Sequence, residues 1–332
     1  MSRPVTLVTG QWADMPFEEL CKKASVWGYD GLEIACWGDH MDVRKAASSA
    51  AYVREKKRIL KKYGLKCWAL ACHLAGQCVG DDYDPRLDGF APDAVKGKPD
   101  ALRKWAVEEM KASARAARAM GCYVVNGFMG SPIWKAWYSF PTTTEDMVKA
   151  GYKRILDLWT PIFDEFDKQG VKFALEVHPT EIAFDVYTTR RLFDVFKNRL
   201  TLGLNFDPSH LLWQGVEPHL FIREFPDRIY HTHMKDVAVT LDGKAGILGS
   251  FLPFGDVRRG WNFRSIGHGD VDFDAIIREL NSIGYEGPLS VEWEDNCMDR
   301  EFGAPESLEY IRQMNFSPSK VAFDKEFGKE KK

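Results

Sequence analysis

Eight short apolar runs alternate with eight amphipathic helical stretches along most of the chain. The runs are almost continuously apolar, which is typical of parallel strands that are covered on both faces. Glycine follows several of the helical stretches, as expected where a left-handed residue ends a helix. We therefore predict an α/β fold, a closed (β/α)8 barrel with long loops after strands 3, 4 and 7. An open doubly wound sheet would place a glycine-rich phosphate turn after strand 1, and Val8–Trp12 is not one.

The predicted strands are Val5–Val8, Gly31–Ala35, Lys66–Cys72, Cys122–Asn126, Lys172–Glu176, Thr201–Phe206, Ile229–His233 and Leu289–Glu292. The predicted helices cover, in numbers, about 16–28, 44–63, 99–120, 144–170, 188–197, 218–225, 272–283 and 304–314. The long connecting segments are 76–99, 127–141 and 234–268. Because no stretch has a linker composition, we predict one catalytic domain over residues 1–316, followed by a charged tail, 317–332.

Composition excludes several classes of protein. The formal net charge of −3 argues against a nucleic-acid-binding surface, which needs an excess of basic residues. No run of 18 apolar residues is present, and the N-terminus lacks the features of a signal peptide. The 7 cysteines include no C-x-x-C pair, so we interpret them as reduced thiols of a cytoplasmic protein.

The last four predicted strands each end in residues of metal-ligand type. The relevant segments are Glu176-Val-His178, Asp207-Pro-Ser-His210, His233-Met-Lys235-Asp236 and Glu292-Trp-Glu294. The carboxyl ends of barrel strands converge on one mouth, where three carboxylates would repel each other unless a cation lay between them. Three carboxylates and one imidazole form an oxygen-rich set that suits Mn²⁺, the metal we predict, with Co²⁺, Mg²⁺ and Zn²⁺ as alternatives.

These motifs, in this order, resemble those of the xylose-isomerase-like TIM barrels, also called sugar phosphate isomerase/epimerase-like proteins. The resemblance covers residues 4–314 and also includes Gly267-His-Gly-Asp270. It implies that the metal ligands are Glu176, Asp207, His233 and Glu292, and that His210 faces the substrate. Glu176-Val-His178 and the insert with Gly260–Gly269 resemble one branch more closely, the α-subunits of C-glycoside-cleaving enzymes and the 3-keto-glycoside lyases. In that branch, His178 would be the general base.

The chemistry expected from the resemblance is removal of a proton from a carbon next to a carbonyl, through a metal-stabilised enediolate. In an epimerase of this family, Glu176 and Glu292 would exchange the proton on opposite faces of the substrate. In the lyase branch, His178 would take the proton and the glycosidic group would leave by β-elimination. The sequence leaves isomerisation, epimerisation and elimination open, together with the identity of the sugar.

Several other residues have predicted roles at the mouth of the barrel. We predict substrate contacts for His210, His73, Lys235 and Trp134, with binding to Asp207 as the alternative for His210. Lys235 is also placed to pair with Asp236. Glu33 and His73 could equally be polar groups of the pocket wall, bonded to each other or to water. His231 is expected to lie deeper than His233, and His40 is expected at the surface.

Two segments carry predictions about the substrate and partners. The loop 127–141 is rich in aromatic residues, which suits the face of a sugar ring or an aromatic aglycone, or alternatively a subunit interface. The segment 234–268 is too long for a plain connector, so we expect it to cover the mouth or contact another chain. The predicted partners are a small carbohydrate and either further copies of the chain or a small partner subunit.

Two further functions use a similar fold or surface. An abasic-site endonuclease would need a metal cluster richer in histidine, and strand 4 ends in Asn126 where a histidine would be expected. A non-catalytic sugar-binding subunit would not need a complete set of metal ligands, whereas this chain keeps one. The sequence shows no glycine-rich phosphate cradle after strands 7 and 8, which favours an unphosphorylated sugar.

Overall fold

The computed structural model describes residues 2–319, so the predicted tail lies outside the described residues from position 320 onward. Eight parallel strands close into a barrel, which confirms the predicted fold class. The barrel strands are β1 (Val5–Val8), β2 (Gly31–Ala35), β3 (Lys66–Ala71), β4 (Val124–Gly127), β5 (Lys172–Glu176), β6 (Leu202–Phe206), β7 (Ile229–Met234) and β10 (Leu289–Val291). Around the barrel they follow the order β1-β10-β7-β6-β5-β4-β3-β2. Two further strands, β8 (Asp236–Val239) and β9 (Trp261–Arg264), form an antiparallel pair outside the barrel.

Eleven α-helices are found in the described part of the chain. They are α1 (Phe17–Trp27), α2 (Val43–Ser48), α3 (Ala50–Lys62), α4 (His73–Gly80), α5 (Pro99–Met120), α6 (Glu145–Gln169), α7 (Val186–Val195), α8 (Pro208–Leu212), α9 (Pro218–Glu224), α10 (Phe273–Ser282) and α11 (Arg300–Met314). Among these helices, none combines the length and the hydropathy that crossing a membrane would need. The helix predicted over 44–63 is wrong as one element, because Ser49 is extended and its hydroxyl accepts a hydrogen bond from the Tyr52 amide.

The segment after β3 was expected to be a long loop from residue 76, but its first part continues α4. Glycines at positions 76 and 80 lowered the helical signal in the sequence. In the structure, a Cβ at Gly76 would lie 2.0 Å from the carbonyl oxygen of Phe128, and one at Gly80 would lie 2.3 Å from that of Met129. The two glycines therefore let α4 pack directly on the loop that follows β4.

The segment after β7 is organised by Asp236. Its carboxylate accepts hydrogen bonds from the backbone amides of Gly267, Gly269 and Val271, at 2.9, 2.9 and 3.2 Å. These bonds tie the base of the β8–β9 hairpin to the returning chain. The predicted pairing of Lys235 with Asp236 is therefore wrong, since Asp236 is occupied by backbone amides.

Candidate metal centre

Four side chains meet at the carboxyl ends of neighbouring barrel strands. Glu176, Asp207, His233 and Glu292 each place one ligand-type atom so that all four atoms lie within 4.8 Å of one another. They come from the ends of β5, β6, β7 and β10, which are consecutive in the barrel. Adjacent parallel strands lie about 4.8 Å apart, so residues at equivalent heights converge without any distortion of the backbone. The sequence-predicted set is thus brought together.

The two ring nitrogens of His233 face different groups. Nε2 lies 3.1 and 3.0 Å from the two carboxylate oxygens of Glu33, while Nδ1 lies 3.0 Å from Oε2 of Glu176 and 3.1 Å from Oε2 of Glu292. Nδ1 makes no hydrogen bond of acceptable geometry within the described residues. If Nε2 carries the proton and donates it to Glu33, the lone pair of Nδ1 is directed at the cluster, the arrangement common among metal-binding histidines.

The carboxylates around His233 favour a positive charge beside its ring. Burial lowers the pKa of His233, but Glu33, Glu292 and Glu176 outweigh burial and raise it well above the usual range. Burial would raise the pKa of Glu292, but Lys235 and His233 reverse this and lower it to about 2. A position beside Nδ1 and two ionised carboxylates must therefore be filled by a proton or by a metal ion.

Asp207 supplies a second unsatisfied atom. Its Oδ1 accepts hydrogen bonds from the amide and hydroxyl groups of Ser209, at 2.8 and 2.7 Å. Its Oδ2 is buried and, within the described residues, has no hydrogen-bond partner. Burial is the main cause of a raised pKa at Asp207, although His210 and Lys235 oppose it. One oxygen is thus held by the protein while the other remains available as a ligand, and the donor set fits a divalent metal ion.

Glu176 is held on both carboxylate oxygens. Oε2 lies 3.1 Å from Nε2 of His73 and accepts a hydrogen bond from Nδ2 of Asn205 at 3.0 Å. Oε1 lies 3.3 Å from Nε2 of His210. Burial would raise the pKa of Glu176, but His233 and the bonds from His210 and His73 lower it well below the usual range. Glu176 is therefore oriented and ionised, as a ligand needs to be.

The other predicted site residues surround this cluster. The ring of His210 is buried and lies 4.2 Å from that of His178, and the ring of His178 lies 5.1 Å from that of Phe128. Lys235 places Nζ 3.0 Å from Glu292 and 4.1 Å from the centre of the Phe263 ring. His178, His210, His73 and Lys235 are all brought to the mouth; their contacts with substrate stay predictions.

Three residues named in the sequence analysis lie outside the metal cluster. Trp134 packs against Phe184 at 5.4 Å and lines a separate cavity, none of whose lining residues belongs to the metal cluster. Glu33 lies beneath His233, and its carboxylate faces His231 and His233. This arrangement agrees better with the predicted alternative, a polar group bonded within the protein, than with a sugar contact. The expectation that His40 is at the surface is wrong, because His40 is buried and lies 2.9 Å from the hydroxyl of Thr9.

Sequence reasoning missed Asn205 and Ser290, which hold the carboxylates of Glu176 and Glu33. Each is a polar residue within an otherwise apolar barrel strand. A buried polar side chain needs a hydrogen-bond partner, so the break in the apolar pattern was the available signal. The sequence could not show which carboxylate each residue would meet.

Comparisons with known proteins agree with this architecture. The chain is 26% identical over 334 residues to YfiH of Bacillus subtilis (strain 168), described as uncharacterized, covering 93% of this chain and 98% of YfiH. It is 36% identical over 94 residues to inosose dehydratase of Clostridium beijerinckii, which is only 28% of this chain and 30% of that enzyme. The fold matches 3-keto-D-glucoside 4-epimerase YcjR from E. coli with a TM-score of 0.66 at 14% identity, covering 94% and 99% of the two chains.

The family match covers most of the chain. Residues 21–314 match the family described as Xylose isomerase-like TIM barrel, and this range contains the four clustered residues. The YcjR likeness bears on the fold alone at this level of identity. The closed barrel and the ligand-type residues at its strand ends agree with this match. The chain therefore belongs to the xylose isomerase-like TIM barrel family.

Proposed function

We propose that this protein is a divalent-metal-dependent enzyme that removes a proton from a carbon next to a carbonyl group of a carbohydrate. The observation that carries the proposal is the convergence of Glu176, Asp207, His233 and Glu292, in which Oδ2 of Asp207 and Nδ1 of His233 make no well-formed hydrogen bond to a described residue. A bound cation, for which we propose Mn²⁺, would orient substrate oxygens and stabilise the negative charge that develops on them. The name of one sequence relative, an inosose dehydratase, supports a carbohydrate substrate.

We assign the general base to His178. Burial, followed by the neighbouring His210, lowers the pKa of His178 well below the usual range, so the ring is neutral at neutral pH. A neutral imidazole beside the cluster can accept a proton directly. Glu176 is less suited to this role, because both of its oxygens already face protein groups. Glu292 is the remaining carboxylate for a proton exchange on the opposite face.

Lys235 is proposed to hold substrate oxygens. Burial would lower the pKa of Lys235, but Glu292 and Glu294 raise it well above the usual range, so the side chain is a cation. Nζ lies 3.0 and 3.2 Å from these two carboxylates and above the ring of Phe263. An ammonium group in this position can orient a hydroxyl or carbonyl oxygen without itself giving up a proton.

The test is solvent-deuterium exchange, followed by NMR, with Mn²⁺ and a panel of ketoses and 3-keto-glycosides. We expect deuterium at the carbon next to the carbonyl with the wild-type protein. His178→Ala should slow exchange by about a hundredfold or more, since general-base catalysis is worth about 10²–10⁴ in rate. His219→Ala, which changes a half-buried histidine near Glu217, is the matched control. Undiminished exchange in both His178→Ala and Glu176→Gln would contradict both base assignments.

A second candidate reaction is β-elimination from a 3-keto-glycoside. It is favoured by the engagement of both oxygens of Glu176, which leaves His178 as a base on one face. Elimination needs one base and a leaving group, whereas epimerisation needs proton exchange on two faces. The same NMR experiment separates them, because elimination releases the aglycone and epimerisation keeps the glycosidic bond intact.

We also propose that the protein associates with further copies of itself or with a small partner subunit. Trp137, Tyr138 and Phe140 in the loop after β4 are exposed, as are Leu248 and Phe251 in the insert after β7. Apolar side chains of this size are more often covered in an assembly. Size-exclusion chromatography with light scattering should return a mass above that of one chain, and a clean monomer would contradict the association with further copies.

A further inference from the structure

A cavity of about 300 Å³ lies beside the barrel mouth, between the loop after β4, the loop after β5 and the helices α6 and α7. Its walls carry five aromatic side chains, Trp134, Trp137, Tyr152, Phe184 and Tyr187. The volume is at the lower end of the range for small-molecule sites. A space of this kind suits a flat group with an apolar surface.

The buried side chain of Glu181 gives the cavity a polar floor. Its Oε2 accepts hydrogen bonds from the backbone amides of Met129 and Gly130, at 2.6 and 2.8 Å. Its Oε1 makes no well-formed hydrogen bond to a residue within 2–319, although the side-chain amide of Gln77, which donates to Asp81 at 2.9 Å, is close enough to lower the pKa of Glu181. Burial, reinforced by Asp81, raises the pKa of Glu181 to about 8. At neutral pH the carboxyl group is therefore largely protonated and can donate or accept at Oε1.

The other polar groups of the cavity are already compensated. Arg191 donates to the carboxylate of Glu145 at 2.8 Å and lies 4.6 Å from the centre of the Tyr152 ring. The hydroxyl of Tyr152 donates to the carbonyl oxygen of Ile182 at 3.1 Å. No uncompensated charge is left among these lining groups, so a charged ligand would lose its hydration without gaining a partner. The chemistry favours a neutral ligand with one hydrogen-bonding group.

We propose that this cavity binds a planar aromatic ring that carries a hydroxyl group, with the hydroxyl placed at Glu181. The loops that line it also reach the metal centre, because Phe128 packs against His73 and His178 while the next two residues hold Glu181. The ring would then be the non-sugar part of the substrate, an assignment that rests on the proposed function.

The test is calorimetric titration with 2-naphthol at pH 6.5, on protein with Mn²⁺ and on protein in excess EDTA. We expect saturable binding with one site per chain under both conditions, since the metal cluster is not part of the cavity. Naphthalene, which lacks the hydroxyl, should bind about fivefold more weakly. Trp134→Ala should weaken 2-naphthol binding by about tenfold, the scale of one aromatic contact.

Two variants separate a specific cavity from general adhesion. Ala136→Phe places a ring inside the cavity and should abolish binding, whereas Tyr123→Ala removes an exposed tyrosine at the opposite end of β4 and should leave it unchanged. Absence of saturable binding by the wild-type protein would overturn the proposal. Wild-type affinity for 2-naphthol in both Trp134→Ala and Ala136→Phe would also overturn it. Binding of 2-naphthol without deuterium exchange on any ketose would instead support this site while contradicting the metal-dependent function.

Discussion

Two buried clusters of carboxylate and imidazole groups share His233. The lower cluster contains Glu33, His231 and His233, and the upper cluster contains Glu176, Asp207, His233 and Glu292. In the lower one, Glu33 faces Nε2 of His231 at 2.8 Å and accepts from the hydroxyl of Ser290 at 3.1 Å. In the upper one, Oδ2 of Asp207 and Nδ1 of His233 lack hydrogen bonds to described residues.

The two clusters differ in how completely hydrogen bonds satisfy their polar atoms. Hydrogen bonds complete the lower cluster, so it needs no ion although its atoms lie close enough to hold one. Burial would raise the pKa of Glu33, but His233 and His231 lower it well below the usual range. An ionised Glu33 holds the ring of His233 and directs Nδ1 upward. The lower cluster therefore positions the ring of His233, and the upper cluster is where we propose the metal binds.

The largest effect is expected from Asp207→Asn, which removes a carboxylate from the upper cluster. Metal analysis should show about one ion per wild-type chain and a nearly vacant variant. Deuterium exchange should fall by about a thousandfold, because metal stabilisation of developing charge is worth several kcal/mol. Asp242→Asn, an exposed aspartate in the insert, is the control. Full metal content in Asp207→Asn would remove Asp207 from the ligand set.

Glu33→Gln tests the lower cluster. We expect Mn²⁺ affinity, measured by calorimetry, to fall by about 10–100-fold, the usual effect of losing the partner of a metal-binding histidine. Ser290→Ala removes only one bond to Glu33 and should have a smaller effect in the same direction. A loss in Glu33→Gln as complete as that in Asp207→Asn would mean that the two clusters are one metal site.

Metal removal should affect stability through the upper cluster alone. With free Mn²⁺ at about 100 times its dissociation constant, binding adds about 3 kcal/mol to the free energy of unfolding. EDTA should remove this contribution from the wild-type protein, as measured by urea denaturation. It should leave Asp207→Asn unchanged, and an equal loss in that variant would place the stabilising ion elsewhere.

Glu181 offers a third comparison, a buried carboxyl that lies in neither cluster. Its pKa is raised to about 8 in the folded protein, against 4.5 as its ordinary value, so the folded state keeps a proton that the unfolded state releases. Stability should therefore fall as the pH rises from about 4.5 to 8. Glu181→Gln should reduce this fall by about 2 kcal/mol between about pH 5.5 and 7.5, measured by urea denaturation.

Asp81 also has a pKa raised by burial, but it is present in both the wild type and Glu181→Gln. The difference between the pH profiles of their unfolding free energies therefore reports Glu181. Glu301→Gln, at an exposed position in α11, serves as the control for loss of a carboxylate. Parallel pH profiles for the wild type and Glu181→Gln would contradict a protonated Glu181.

Much of the architecture could be predicted because its causes are local. The strands β2 and β5 have the predicted bounds and each starts within three residues of a helix-ending glycine, Gly28 or Gly170, and the helix predicted over 99–120 is α5. The clustering of Glu176 with Glu292 also followed, since a closed barrel brings strand ends to one rim. The helix α4 could not be predicted, because its glycines serve a contact with a loop some 50 residues away.

The sequence by itself determined the alternation of strands and helices and the ligand-type residues at the strand ends, since both depend on short-range periodicity. Only the tertiary structure decided which of these groups would be satisfied. Glu33 and His233 are 200 positions apart, on β2 and β7, which are not neighbours in the barrel. They meet because inward-facing side chains cross the barrel interior, where burial requires each polar group to find a partner.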